Sequence, residues 1–221
     1  KTPVQDFTAI LFDLDGVIID SEPLHEESKK IVFSRYGIEV PESVYDQYKG
    51  KTDWDVVNHI VQTYGGGKLP VDEVLAEKQQ AFRDLTHKLP LVPGADAFIR
   101  AAGKRYRLAL TTSATPRNQQ LAFDKFGLAS FFEVVVTAAD ITRAKPDPEP
   151  YVITARKLGL SPDVCLVIED SVNGVISGVA AGCTVAALTT SFDAGALTRA
   201  GAHLVVDGFQ ALADRLSLPL Q

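Results

Sequence analysis

Ala9-Ile10-Leu11-Phe12-Asp13-Leu14-Asp15-Gly16-Val17 runs four apolar residues straight into two acids, two positions apart, and then a glycine. The pattern reads as a short buried strand giving way to a loop. Side chains at i and i+2 share one face of an extended segment. Carboxylates at the carboxyl end of a parallel strand project into the crevice where open α/β sheets bind ligands. Two unsatisfied anions there repel each other, so a divalent cation, a phosphate with its own counter-charges or a shared proton must accompany them. Asp-x-Asp-Gly is also a turn with an Asx contact and a glycine at positive φ. Alone, the stretch leaves both readings open.

Outward from it, strand and helix alternate, as in a parallel sheet covered by helices. Apolar runs at Leu108 to Thr111, Val134 to Thr137, Cys165 to Ile168 and Thr184 to Leu188 read as further strands, with a short edge strand at His203 to Val206. Thr115-Pro116 supplies an N-cap and an N1 proline for a helix ending near Gly127. Glu149-Pro150 opens a helix that stops at Gly159, and Val172 to Ala181 forms another, closed by Gly182. Glu22 to about Leu89 breaks the rhythm. Its apolar residues (Ile31, Val32 and Tyr36, then Val56, Val57, Ile60, Val61 and Tyr64, then Val74, Leu75, Phe82 and Leu85) recur at helical spacing. The expectation is an α/β protein: a Rossmann-like parallel-sheet core, residues 1–20 and 91–221, with an all-helical cap domain inserted at 21–90. Gly65-Gly66-Gly67 separates two cap helices, and the crossings near Asp20 and Leu91 are expected to hinge.

With 221 residues, 46% hydrophobic and 23% charged, the chain supports one substantial core and a smaller module. A net charge of −6 argues against nucleic acid or an anionic membrane as partner. No apolar run spans a bilayer and no leader pattern is evident, so the expected location is the cytoplasm and the expected state a monomer. Cys165 and Cys183 read as small buried hydrophobes.

The other polar signals fall at the ends of the same strands. Thr111-Thr112-Ser113 ends the second strand before a helix, offering hydroxyls and free N–H groups to phosphate oxygens. Lys145 lies in the proline-stiffened loop Ala144-Lys145-Pro146-Asp147-Pro148, and its ammonium is the point charge a phosphoryl group requires. Glu169-Asp170-Ser171 terminates the fourth strand and adds carboxylates to the first pair. Separately, Thr112 reads equally as a helix cap, Lys145 as a surface charge and Asp170 as an N-cap. Jointly, four independent accidents would each have to fall at a strand end.

The ordered set Asp13-x-Asp15-Gly16, Thr112, Lys145 and Glu169-Asp170 resembles the haloacid dehalogenase superfamily of phosphotransferases, over essentially the whole chain. The segment from Phe12 to His25, with Lys145-Pro146-Asp147-Pro148 and Ile168-Glu169-Asp170-Ser171, is similar to the branch containing β-phosphoglucomutase and small sugar-phosphate phosphatases. The resemblance implies that Asp13 is a nucleophile that becomes an aspartyl phosphate and that Asp15 is the general acid and base. It implies Mg2+ held by Asp13, the Asp15 carbonyl and Asp170 with Glu169 in support, and phosphate oxygens held by Thr112, Ser113 and Lys145. At an effective dielectric near 20, unit charges about 4 Å apart interact by about 4 kcal/mol, so one metal ion and one lysine each change the rate by orders of magnitude.

Substrate choice belongs to the insert, where Glu22, His25, Lys51 and Lys78 are the candidate residues. By the same resemblance, His25 stands where the mutase couples substrate to the acid/base. Asp53 stands where the mutase carries an arginine for a second phosphate, and an anion there repels that phosphate. The expected activity is therefore hydrolysis of a small phosphate ester, most simply a sugar phosphate. A phosphosugar mutase and a catalytically silent binding module of the same fold are the alternatives.

Overall fold

The computed structural model describes residues 6–48 and 51–220. The chain divides into two compact units, one running to Asp20 and resuming at Pro90, the other being Ser21–Leu89.

The first unit is built on six parallel strands, β1 (Ala9–Phe12), β2 (Arg107–Thr111), β3 (Val134–Val136), β4 (Cys165–Glu169), β5 (Thr184–Leu188) and β6 (Leu204–Val206), in the order β3-β2-β1-β4-β5-β6. The strand carrying Asp13 is thus internal. Phe12 pairs with Leu110 on one side and Ile168 on the other, and the Asp13 N–H continues the ladder to the Ile168 carbonyl at 3.1 Å. That register sets Asp13 level with Thr111 and Glu169, so the polar ends of three strands lie side by side before any side-chain contact is considered.

Because strand side chains alternate, the sheet has two apolar faces. Ala9, Leu11, Ala109, Cys165, Val167, Val185 and Ala187 point to one, where they pack with residues of α7 (Glu149–Leu158), α8 (Val172–Ala180) and α9 (Ala194–Arg199). Phe12 points to the other, edge-on to Phe98 and Phe132 at 6.0 and 5.6 Å between ring centroids. Phe98 belongs to α5 (Ala95–Ala102), and its ring lies 4.9 Å from that of Phe209 in α10 (Phe209–Arg215). Phe123 of α6 (Pro116–Phe126) packs on Phe132 at 4.9 Å. Strands buried on both faces explain why these segments are continuously apolar rather than alternating.

The second unit contains α1 (Glu22–Arg35), α2 (Glu42–Tyr45), α3 (Asp53–Tyr64) and α4 (Val71–Leu85) around a core that includes Val32, Phe33, Val56, Val57, Ile60, Val61 and Val74. All of these except Phe33 are among the positions that recur at helical spacing in the sequence. Thr52 caps α3 by accepting the Asp55 N–H at 3.1 Å, and Gly65–Gly67 ends it. The chain leaves and rejoins the sheet unit along one seam: Asp20 N–H donates to the Pro90 carbonyl at 2.9 Å and Val92 N–H to that of Ile18 at 2.9 Å. Among the described residues no helix is long and apolar enough to cross a membrane.

Candidate active site

Four of the residues expected from the sequence meet in one buried cluster at the carboxyl ends of β1, β2 and β4. Lys145 Nζ donates to Asp13 Oδ1 at 3.0 Å, to Glu169 Oε1 at 2.6 Å and to the Thr111 carbonyl at 3.0 Å. Asp13, Glu169 and Asp170 each present an oxygen within 4.8 Å of the others. Asp15 follows in a tight turn, in which Gly16 takes φ 77° and its N–H reaches the Ile19 carbonyl at 2.8 Å. A Cβ on Gly16 would fall 1.9 Å from Asp170 Oδ2. The glycine of the opening motif therefore serves both a left-handed turn and a close approach.

On the β2 side, the buried Thr112 accepts the Ala114 N–H on its hydroxyl at 3.0 Å, and Ser113 is exposed one residue on. Lys145 sits in a loop tied down by Glu149, whose carboxylate accepts the backbone N–H groups of Thr142 and Arg143 at 2.7 and 3.1 Å. Those bonds, the Thr142 hydroxyl and the Arg143 guanidinium pull the Glu149 carboxyl down to about 2.

Three acids against one ammonium leave excess negative charge in a buried site. Burial, reinforced by Glu169 and only partly opposed by Lys145, holds the Asp13 carboxyl well above the usual range. Burial and Glu169 push Asp170 up to about 8. Burial disfavours the Lys145 ammonium, but Asp13 and Glu169 outweigh it and hold the group above its ordinary value. An oxygen-only donor set that crowds three buried acids together fits a hard divalent cation, which restores ionised carboxylates without desolvated repulsion.

Glu169 is committed differently from its two neighbours. Its Oε1 accepts from Lys145 and from the Tyr151 hydroxyl, the latter at 2.5 Å, and its Oε2 accepts the Asp170 N–H at 3.2 Å and the Ser171 hydroxyl at 3.4 Å. Asp13 and Asp170 are then the carboxylates better placed to ligate a cation, with Glu169 orienting the lysine. Gly174, in the first turn of α8, makes room: a Cβ there would lie 2.0 Å from Glu169 Cδ. Gly174→Ala is expected to destabilise the fold by about 1–3 kcal/mol through overpacking against a carboxylate held on both oxygens, lowering Tm by about 2–4 °C per kcal/mol. A calorimetric melt at the wild-type temperature would overturn this close-packing account.

The remaining candidates lie in the helical unit. Lys78 is expected from sequence to be a reaching cation; instead its ammonium is fully buried, donating to Asp53 Oδ1 and Oδ2 at 2.6 and 2.7 Å and lying 2.8 Å from His25 Nδ1. The His25 ring stacks on Phe82 at 4.2 Å. Burial works to raise the Asp53 carboxyl, but Lys78 and His25 outweigh it and hold it below its ordinary value. Asp53 is thus half of a neutral pair rather than the bare anion its sequence position suggests. Glu22 begins α1 and its charge is felt by Lys78, whereas Lys51 is exposed.

Two residues that the sequence reading passes over belong to the cluster. Tyr151 lies on the buried α7 face shared with Thr154, Ala155 and Leu158, and a phenol hydroxyl on a largely apolar face is a usable signal. Ser191, whose hydroxyl donates to Asp170 Oδ2 at 2.5 Å, had none, because the contact joins two loops.

Residues 10–188 match the family model described as haloacid dehalogenase-like hydrolase. The chain is 33% identical to hexitol phosphatase A of Escherichia coli over 83% of each chain. It is 30% identical to the phosphorylated carbohydrates phosphatase of Thermotoga maritima, over 79% of this chain and 81% of that one. CbbY from Rhodobacter sphaeroides, solved in complex with phosphate, superposes with a TM-score of 0.79 at 25% identity, over 93% of this chain and 96% of its own.

Proposed function

From its membership of the haloacid dehalogenase-like hydrolase family, to which this chain belongs, we propose that the protein is a magnesium-dependent phosphatase that hydrolyses a small phosphorylated metabolite, specifically a sugar phosphate. The observation that carries this reading is the buried cluster of Asp13, Glu169 and Asp170 around the Lys145 ammonium at the rim of the sheet.

Asp13 attacks phosphorus through a carboxylate oxygen while Asp15 gives its proton to the departing alkoxide. Asp15, now ionised, draws a proton from the water that attacks the aspartyl phosphate; the acyl phosphate's P–O bond breaks, Asp13 is regenerated and inorganic phosphate leaves. Lys145, Thr112 and Ser113 hold the equatorial oxygens, over which charge is spread in a loose transition state. Asp13, Asp170 and the Asp15 carbonyl are the proposed holders of Mg2+, with Glu169 in support. When bound, the ion supplies charge neutralisation to the phosphoryl oxygens and keeps Asp13 ionised. The helical unit is the proposed source of substrate choice through Glu22, His25 and Lys51, with the buried Lys78 holding Asp53 and His25 in place. The sugar-phosphate class is supported by the names of the relatives, and hydrolysis over the mutase reaction by the neutral Asp53–Lys78 pair, which brings no net positive charge of its own for a second phosphate.

A phosphate-release screen over sugar phosphates, nucleotides and phosphoglycolate is expected to give turnover of sugar phosphates that stops with EDTA and returns with Mg2+. With β-glucose 1-phosphate and a trace of the 1,6-bisphosphate, glucose 6-phosphate appearing without free phosphate would replace hydrolysis by the mutase reaction. Release that persists after exhaustive chelation would remove the metal.

A further inference from the structure

Resting on the magnesium-phosphatase reading above, we propose that Ser191 is a positioning residue of the metal site: its hydroxyl fixes the rotation of the Asp170 carboxylate and thereby sets the affinity for the divalent cation. Ser191 lies in the loop between β5 and α9. Since Glu169 pairs with Ala187 across β4 and β5, that loop leaves the sheet beside the end of β4. It is anchored on both sides of the serine: Thr189 N–H donates to the Val206 carbonyl at 3.1 Å, and Asp193 caps α9 by accepting the Ala196 N–H at 2.8 Å.

The hydroxyl thus arrives on a fixed backbone and donates to Asp170 Oδ2 at 2.5 Å. The same oxygen also meets the backbone of Gly16, where an added Cβ would fall 1.9 Å from Oδ2 and 3.1 Å from Ser191 Oγ. Oδ2 is therefore packed against a glycine backbone and fixed by a hydroxyl beside it, so the rotation of the carboxylate is set by a loop that supplies no ligand itself. Partners of this kind commonly change metal affinity by about 10–100-fold when removed.

The test uses the full chain as wild type, Ser191→Ala, Ser191→Val and Ser191→Thr. Binding of Mn2+ is followed by electron paramagnetic resonance and Mg2+ binding by displacement of Mn2+, without substrate. The alanine and valine variants are expected to bind both ions about 10-fold more weakly, and threonine, which keeps the donor, to bind as the wild type does. In phosphate release, Ser191→Ala should need correspondingly more Mg2+ for half-maximal rate, with kcat recovering at saturating Mg2+ and the ester's KM unchanged. A purely structural role would lower Tm without moving the metal dependence. Wild-type affinity in the alanine and valine variants, or a threonine variant as weak as alanine, overturns the proposal while leaving the phosphatase reading standing. A wild-type protein that binds neither ion removes both.

Discussion

Asp13→Asn is expected to abolish phosphate release, with a loss on the order of 10⁴-fold or more, as for removal of a covalent nucleophile elsewhere, while the protein stays folded. The amide is close in size and shape to the carboxylate, and its oxygen can still accept from Lys145, which now bonds Asp13 Oδ1 at 3.0 Å. What disappears is the anionic oxygen able to form the P–O bond. The same change removes one acid from a cluster whose burial and Glu169 already hold Asp13 well above its usual range, so the metal-free variant should melt no lower than wild type. The two readouts separate chemistry from folding. Turnover near the wild-type rate would exclude Asp13 as nucleophile, whatever the melting curve shows.

Lys145→Ala is expected to lose on both readouts. Its ammonium is the shared donor to Asp13, Glu169 and the Thr111 carbonyl, and Glu169 is fully buried. Breaking one side of such a buried pair generally destabilises by about 3–5 kcal/mol. The low end is expected here because Asp13 and Asp170 hold protons readily in the metal-free protein; at about 2–4 °C per kcal/mol, that is a drop on the order of 10 °C in Tm. Phosphate release should fall by about 10²–10³-fold even at saturating Mg2+, the scale of deleting one preorganised donor to transition-state charge. A folded Lys145→Ala protein with full activity would take the lysine out of the phosphate site, and an unchanged Tm would mean that the two carboxylates need no counter-charge.

The parallel sheet is legible from the apolar runs because strands covered on both faces must be continuously apolar, and the insert is legible because its apolar residues switch to helical spacing. The short helices α5, α9 and α10, of 8, 6 and 7 residues, are passed over: one to two turns carry too little periodicity to stand out from a loop. At the site, the sequence places Asp13, Glu169 and Asp170 at strand ends and Lys145 in the loop after the third strand; adjacency of β1 and β4 joins the acids, and that loop carries Lys145 to them. The helix face of Tyr151 signals a buried hydroxyl but not that Glu169 is its partner, and nothing local indicates that Lys78 is buried between Asp53 and His25.

The alternation of strand and helix, the inserted helical unit and the ranking of acids, hydroxyls and one lysine along the strand ends were determined by the sequence itself, since each depends on a periodicity or a stop signal a few residues long. The partner taken by each charged oxygen was decided only in three dimensions. Lys145 finds Asp13 across 132 residues and Ser191 finds Asp170 across 21. Such contacts follow from strand order, register and the direction in which each side chain leaves its backbone. A buried carboxylate must be satisfied by whatever donor the packing brings within reach, and that donor need not be near it in the chain.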